Sequence, residues 1–531
     1  MKDKSSASRT VDDLSEIIDA SLLRDKLDLP SEDELSIFDR SLSYDPPLPL
    51  EICSNDEEVI GSVSEDLTNF SAFEVEEKQV DMRVERNLHF PFVRGFHSTY
   101  DSTERYNIRF TLEKINYRVE TLEHIHSGKK VRADLRAIGP DRSKATWDSI
   151  ALLICLAIQM ALPIDRLRKM FSSVTAYSGA SICRYLELAA NKLSPIYLLL
   201  TQQIADDVEV VSGDDTKTRV LQMEQEMKAG LIKGQHTDDS LIARLEKKLG
   251  RAFSRKDGHG HKSQLNVSHL HGLTDPSNPR SIIFLFRTHF GSVGDLLSRI
   301  LSHASPKAKR KIFQGDLSST NFPNKSIIAR WIAGVAGCAS HARRPFFRYR
   351  QDDDGLCDRM LELFALSAAI EKQIDKDGRS PARTLDYRQR LAMPVWDQII
   401  ALAYSVIDAE ARARANNKLH FLWPKKNHLY QGCKYIVKHR KAITAYLTDH
   451  RLAAGNNRAE RLLRSEKILL VSCKFRRSEN GRVVFDILRT LVMTASGACG
   501  DAKSYLCWVL KQPDEEIKAQ PHLYTPLAFH Q

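Results

Sequence analysis

The stretch Gly455–Arg464 reads GNNRAERLLR and places Glu460 and Arg464 four residues apart on one helical face. Two asparagines stand before it, and Asn suits the start of a helix because its side-chain oxygen accepts from a free N–H of the first turn. Taken alone, this is a capped surface helix with an ion pair. Two upstream segments add to it. A Val-rich run, Val208–Val211, leads into Gly213-Asp214-Asp215-Thr216, and KAKRKIF from Lys307 leads into Gln314-Gly315-Asp316. Two aspartates and a glutamate brought together from separate elements are hard oxygen ligands of the kind Mg²⁺ takes. Two such ions roughly 3.5–4 Å apart can activate an attacking hydroxyl and stabilise the leaving oxygen of a phosphodiester. Spacing alone does not single out these three carboxylates.

The elements that would position them follow from the hydrophobic periodicity. Residues 207–220, 266–272 and 281–287 read as strands, 294–303 as a helix and 307–313 as a further strand. Strand–strand–strand–helix–strand, with aspartates at the first and last strand ends, is the order an RNase H-like domain needs. The fold class expected is therefore α/β: an RNase H-like core with a large all-helical insertion, preceded by a helical segment and a disordered acidic N-terminal region. The boundaries expected are 1–88 for the acidic region, 89–145 for a small β-rich segment and 146–205 for helices. The first part of the core is 206–349, interrupted by an insertion at 222–265. The helical insertion is 350–450, the core helix carrying Glu460 is 451–480, and helices with a loose tail fill 481–531.

Within these, residues 106–135 alternate as a hairpin with a turn at Ser127–Gly128. Helices are expected at 147–160, 163–171 and 178–193. They suit either a helix-turn-helix reader, with Arg166, Arg168, Lys169, Arg184 and Lys192 facing phosphate, or a helical support layer. Further helices are expected at 356–374, at 387–415 with a break at Pro394, and at 432–447, 483–496 and 502–510.

The net charge of +10 is unevenly spread. Residues 1–82 hold 7 Lys and Arg against 22 Asp and Glu, a net −15, so the rest of the chain carries +25. A strongly basic body points to a polyanionic partner, most simply nucleic acid. The acidic region has the composition of a mobile arm and could lie on that basic surface in competition with DNA. The 9 cysteines include no CxxC pair, which argues against a zinc ribbon and a disulfide framework and for a reducing cytoplasm. The apolar run Ser149–Ile164 contains Gln159 and reads as a buried helix rather than a membrane span. His259, His261, His269 and His271 invite a metal reading, but without Cys or carboxylate partners a structural or phosphate-contacting role is expected.

The chain resembles the DDE transposases of insertion-sequence family sixty-six over roughly residues 140–510. The family's last motif, DNNxAERxxR, is matched by Gly455–Arg464, and its CWAHARRxF segment by Cys338–Phe346. Asp214-Asp215-Thr216 matches the first-aspartate motif, and Gln314-Gly315-Asp316 loosely matches QxDGY. The segment from Trp423 resembles the family's PKSxLGxAxxYxLNxWxxLxxYL. The resemblance implies a metal-binding catalytic triad of Asp214, Asp316 and Glu460, with Asp215 the alternative to Asp214. It implies Mg²⁺, or Mn²⁺ in its place, and DNA contact or bracing of the triad by His341, Arg343, Arg344, Asn457, Arg461 and Arg464. The function implied is DNA cleavage and strand transfer of an insertion sequence. The partners implied are double-stranded DNA at element ends and target, a homo-oligomer on DNA, and accessory proteins of the element. The location implied is cytoplasmic, nucleoid-associated when DNA-bound. Gly455 stands where the family has Asp, Ala339 where it has Trp, Leu317-Ser318 where it has Gly-Tyr, and the usual cysteine zinc-finger segment is absent. Two other readings stand beside this one: an inactive or domesticated DNA-binding protein, and a structure-specific nuclease without strand transfer.

Overall fold

A computed structural model describes residues 113–141, 143–172, 177–228, 265–318, 321–350, 355–415, 428–473 and 476–529. The acidic region, most of the segment expected as an insertion at 222–265, His259, His261 and the acidic run 352–354 lie outside the described residues.

A short antiparallel hairpin, β1 (Thr121–Glu123) and β2 (Lys130–Arg132), opens the described chain. Gly128 at φ +64° supplies the left-handed residue of its turn. Its strands are fully exposed, and Tyr117 and Val119 lie outside them, while residues 106–112 of the predicted alternation lie outside the described residues.

Three helices follow: α1 (Trp147–Ile158), α2 (Ile164–Met170) and α3 (Gly179–Asp206). Thr146 and Ser178 cap α1 and α3 through their hydroxyls. α1 is buried, as its apolar run predicts. α3 is a full 28 residues and runs through Pro195, well past the end expected at residue 193. Its apolar spacing simply continues, with Leu193, Ile196, Tyr197, Leu200 and Ile204 all buried against the sheet and its helices.

The central sheet holds β3 (Val210–Lys217), β4 (Leu265–Leu273), β5 (Ile282–Phe290), β6 (Lys311–Gln314) and β7 (Ile332–Ala336), in the order β5-β4-β3-β6-β7. β4 runs antiparallel to both β3 and β5, whereas β6 runs parallel to both β3 and β7. The fold is thus mixed α/β with a mixed sheet. α4 (Leu221–Lys228) leaves β3, α5 (Val293–Leu301) links β5 to β6, and α6 (Lys325–Trp331) leads into β7. β3 does not end at its aspartates; it continues through them, paired to β4 as far as Lys217. β7 and α6 carry no periodic signal strong enough to be read beforehand, since IAGVA is short and small-sided.

Alternation along the strands separates two cores. Val211, Leu270, Ile283 and Leu285 face α3 and α5, whereas Val267, Ile282, Phe284 and Phe286 face Leu463 on α12 (Asn457–Cys473). His269 and His271 lie on this second face, stacked 5.0 Å apart and buried. Burial holds both imidazoles neutral, His271 down to about 3. The phosphate-contacting alternative therefore falls for these two, which are core residues. β5 is an edge strand, and its free N–H groups are taken up by α13 (Glu479–Ala498). Thr494 accepts from Phe284 N at 3.1 Å, Thr490 from Phe286 N at 3.0 Å and Asp486 from Thr288 N at 2.7 Å. One side chain per helical turn thus covers the edge that would otherwise be open to pairing.

A separate apolar core joins α7 (Ala339–Arg348), α8 (Leu356–Lys376), α10 (Met393–Ala415) and α11 (His428–Ile443) to the β6–β7 end of the sheet. Between α8 and α10 come α9 (Pro381–Tyr387) and a π turn, Arg388–Ala392, that carries the helix through Pro394 without the break expected there. A wider turn takes up the backbone that cannot bond the proline nitrogen. The stretch Pro381–Ala413 is long and apolar enough to cross a membrane by length and mean hydropathy, 1.2. Val395, Trp396, Ile399 and Ala403 are nonetheless buried among the neighbouring helices, and fully buried Arg388 pairs with Glu371 at 2.7 Å, so it is a core helix here. The tail is not loose. α14 (Ala502–Lys511), α15 (Asp514–Ala519) and the turn Pro521–Tyr524 pack back, with Tyr505 Oη donating to Tyr524 O at 2.9 Å and Ile517 fully buried.

Candidate active site

The register between β3 and β6 fixes the two aspartates. Ser212 pairs with Gln314, so Asp214 and Asp316 each lie two residues beyond the last paired position of neighbouring parallel strands. Gly213 and Gly315 intervene at closest approach: a Cβ at Gly315 would lie 3.2 Å from Gly213 O, and one at Gly213 would meet Val293 Cγ2 at 2.7 Å and Leu270 Cδ2 at 2.8 Å. Larger residues would push the chains apart where the aspartates begin.

Successive residues of β3 point to opposite faces. Asp214 shares the face of Val210 and Ser212, towards α12. Asp215 shares that of Val211 and Gly213, and its Oδ2 accepts from Val293 N at 2.9 Å, holding the N-terminus of α5. Asp214 Oδ1 accepts from Asp215 N at 2.8 Å. Burial pushes the Asp214 carboxyl up to about 7, and the nearby charges of Glu460, Asp316 and Asp215 add to it against that one hydrogen bond. Asp215 is also raised, first by burial and then by Asp316 and Asp295, against its bond to Val293. Asp316 accepts from Asn321 Nδ2 and from Ser318 N at 3.3 Å.

The third carboxylate arrives on the first turn of α12. The side chain of Asn456 does not cap that helix. Its Nδ2 reaches across to donate to Gly213 O at 2.9 Å, and its backbone N–H donates to Cys338 Sγ at 3.1 Å. A capping oxygen would have been satisfied within α12, whereas this amide ties the helix to β3. Glu460 then stands one turn along, half-buried, with Arg344 Nη2 3.3 Å from its Oε1 and His341 Nδ1 at 3.6 Å. Both bracing residues come from α7, whose start is held by Ala339 N donating to Ala454 O at 3.0 Å. Burial alone would raise the Cys338 thiol, but hydrogen bonding and charge from His341, with the Asn456 N–H, bring it below its usual value. Burial alone would lower His341; Cys338 and Glu460 hold it above its usual value.

Of the remaining predicted DNA-contacting residues, Arg461 and Arg464 are exposed on α12 and Asn457 is half-buried at its start. Arg343 is only 5% exposed and sits 5.1 Å over the Phe347 ring. Among the described residues, no three His, Cys, Asp or Glu side chains close on one point as a metal shell does. Sequence reasoning assigned Asn456 only a capping role, and Cys338 and Gln314 none. Gln314 accepts from Ser212 Oγ and Ala453 N, both at 3.4 Å, and donates to Ala453 O. Each stands inside or beside a quoted motif, which is the signal that could have found it.

Residues 324–483 match the family model described as Transposase IS66 family. The match spans less than a third of the chain. No curated protein matches the chain. The matched segment contains α7 with His341, Arg343 and Arg344, Asn456 and Glu460; Gly213, Asp214 and Asp316 precede it.

Proposed function

We propose that the chain is a DDE-type DNA transposase in which Asp214, Asp316 and Glu460 hold divalent cations, Mg²⁺ or Mn²⁺, for cleavage and strand transfer. The observation that carries this reading is the β3–β6 register. It puts each aspartate two residues beyond the last paired position of neighbouring parallel strands, while the Asn456–Gly213 bond brings in the first turn of α12. The strand order β5-β4-β3-β6-β7, in which only β4 runs against the other four, supports an RNase H-like core. Under the same reading, helices α8 to α11 are an insertion between Asp316 and Glu460.

The donor set fits the ions implied. All three are carboxylates, and Asp214 is pushed towards neutrality by burial and by the other two charges, the conflict a bound cation relieves. Bound there, the ions would supply an activated hydroxyl and charge stabilisation at the scissile phosphate. The chain's own residues do the rest. Asn456 holds α12 against β3, Arg344 and His341 hold the Glu460 carboxylate, and Arg461 and Arg464 present cations to the DNA backbone. Asp215 anchors α5 and is not a ligand. The protein acts on duplex DNA in the cytoplasm, as a homo-oligomer with accessory proteins of its element.

The test is metal-dependent nicking of a duplex made from the DNA that flanks the gene. Nicked and joined products support a transposase. Nicking without joining indicates a nuclease, and binding without nicking a domesticated DNA-binding protein.

A further inference from the structure

A groove outside the carboxylate cluster remains unused by this account. It runs between α12, α13 and the end of α1, encloses about 360 Å³ and is lined by Ile158, Leu462, Met493, Ser465, Ser496, Gln159, Arg458 and Arg461. Its chemistry is divided. Ile158 at the floor is buried, Leu462 and Met493 are half-buried walls, and Gln159, Arg458 and Arg461 are exposed at the rim. Arg458 is held in place, its guanidinium 5.2 Å over the Phe284 ring. Gln159 Nε2 is fixed by donating to Ser496 Oγ at 3.0 Å. The lining includes two arginines and no carboxylate.

The volume is at the low end of small-molecule pockets and is too small to admit a duplex. A flat apolar body carrying an adjacent negative charge fits it. A nucleobase has apolar faces for Leu462 and Met493 and polar edges for the Gln159 and serine groups, and guanidinium planes stack on bases. The groove shares α12 with the proposed chemistry: Arg458, Leu462 and Ser465 lie within two turns of Glu460, on the side of the helix turned away from it.

We propose that this groove receives one unstacked nucleotide of the cut DNA strand, across α12 from the scissile phosphodiester. The base lies on Ile158, Leu462 and Met493, and its phosphate meets Arg458 and Arg461. This rests on the DNA-processing reading above and adds to it a preference for a strand with an unpaired base.

The test uses the full chain and two duplexes of equal length, one fully paired and one with a single bulged 2-aminopurine. The bulged duplex should bind roughly 5-fold or more tightly, the low end of what one stacked base contributes, with a change in 2-aminopurine emission. Ser496→Phe, which fills the groove, should abolish both effects, leaving affinity for paired duplex unchanged and the thermal midpoint near wild type. Ser465→Phe fills it from the opposite wall and serves if Ser496→Phe does not fold. Equal affinity for the two duplexes, or a preference that survives both substitutions, would overturn the proposal. No bulge preference together with tighter duplex binding by Ser496→Phe would instead assign the groove to the chain's own acidic residues 1–82, and also overturns it. Failure to bind either duplex would sink the DNA reading itself, which separates the two failures.

Discussion

Asn456 Nδ2 donates to Gly213 O at 2.9 Å, joining the residue before α12 to the residue before Asp214 across 243 positions of sequence. The bond sets how Glu460 faces Asp214. Asn456 is 2% exposed, so its loss leaves a buried carbonyl without this partner. Asn456→Ala is expected to cost about 1–3 kcal/mol in denaturant unfolding and to lower cleavage further than duplex binding. Unchanged stability would show that the bond does not hold the helix.

Asp214 and Asp215 are expected to separate by face. Asp214→Asn should abolish cleavage. Asp215→Asn keeps an acceptor for Val293 N–H and should retain most of it. The pH dependence has a definite sign. Asp214's folded value, about 7, lies above its ordinary one, so the cation-free fold gains from this group at low pH and loses that gain as pH rises through about 7. Above that pH, cation-free Asp214→Asn should therefore be more stable than wild type. The gain is roughly 2–4 kcal/mol, each tenfold change in proton affinity being about 1.4 kcal/mol. Added Mg²⁺ should stabilise wild type alone. Parallel unfolding curves from pH 5 to 9 without cation would contradict this.

Glu466, fully buried on α12, pairs with Arg476 and, at 2.7 Å, with Arg489, and accepts from Thr218 Oγ1 at 2.9 Å. Burial alone would raise it, but the two arginines hold it far below the usual carboxylate range. Its stabilisation is thus complete above that range and is lost only as pH falls well below it. Glu466→Gln leaves two buried cations short of a counter-charge and should cost roughly 3–5 kcal/mol at pH 7. The measurement is unfolding free energy against pH. A cost under about 1 kcal/mol would mean that the trio relaxes into water.

Binding to duplex should weaken steeply with salt, because each neutralised phosphate releases counterion, with a log–log slope of about −0.9 per contact. Arg461→Ala and Arg464→Ala should each flatten the slope by about one contact. Arg343→Ala should leave the slope alone and destabilise the fold, because that side chain is buried over Phe347.

Much of this arrangement could be read from residue patterns. The strands flanking Asp214 and the helix bearing Glu460 carry strong local signals, branched apolar runs in the one and spaced leucines in the other. What could not be read was set by tertiary contact. β7 is too short and small-sided to signal itself and exists because β6 offers an edge. α3 overrides Pro195 because its buried stripe continues beyond it. Asn456 has the local chemistry of a helix cap, and only the position of β3 turns its amide outward. The motif prefers Asp214 by position and leaves Asp215 as the alternative, and the pleat of β3 assigns one to each face.

The central claim is that Asp316 is a cation ligand beside Asp214. Asp316→Asn keeps an oxygen for Asn321 Nδ2 and Ser318 N and removes only the charge. Loss of a group that merely supports a ligand costs roughly 10–100-fold, so loss of a ligand should cost at least roughly 100-fold. The decisive measurement is Mg²⁺-dependent nicking of element-end duplex by Asp316→Asn, alongside its duplex affinity and thermal midpoint. The expected result is nicking reduced by at least about 100-fold with affinity and midpoint near wild type. Nicking near the wild-type rate, while Asp214→Asn abolishes it, would contradict the assignment.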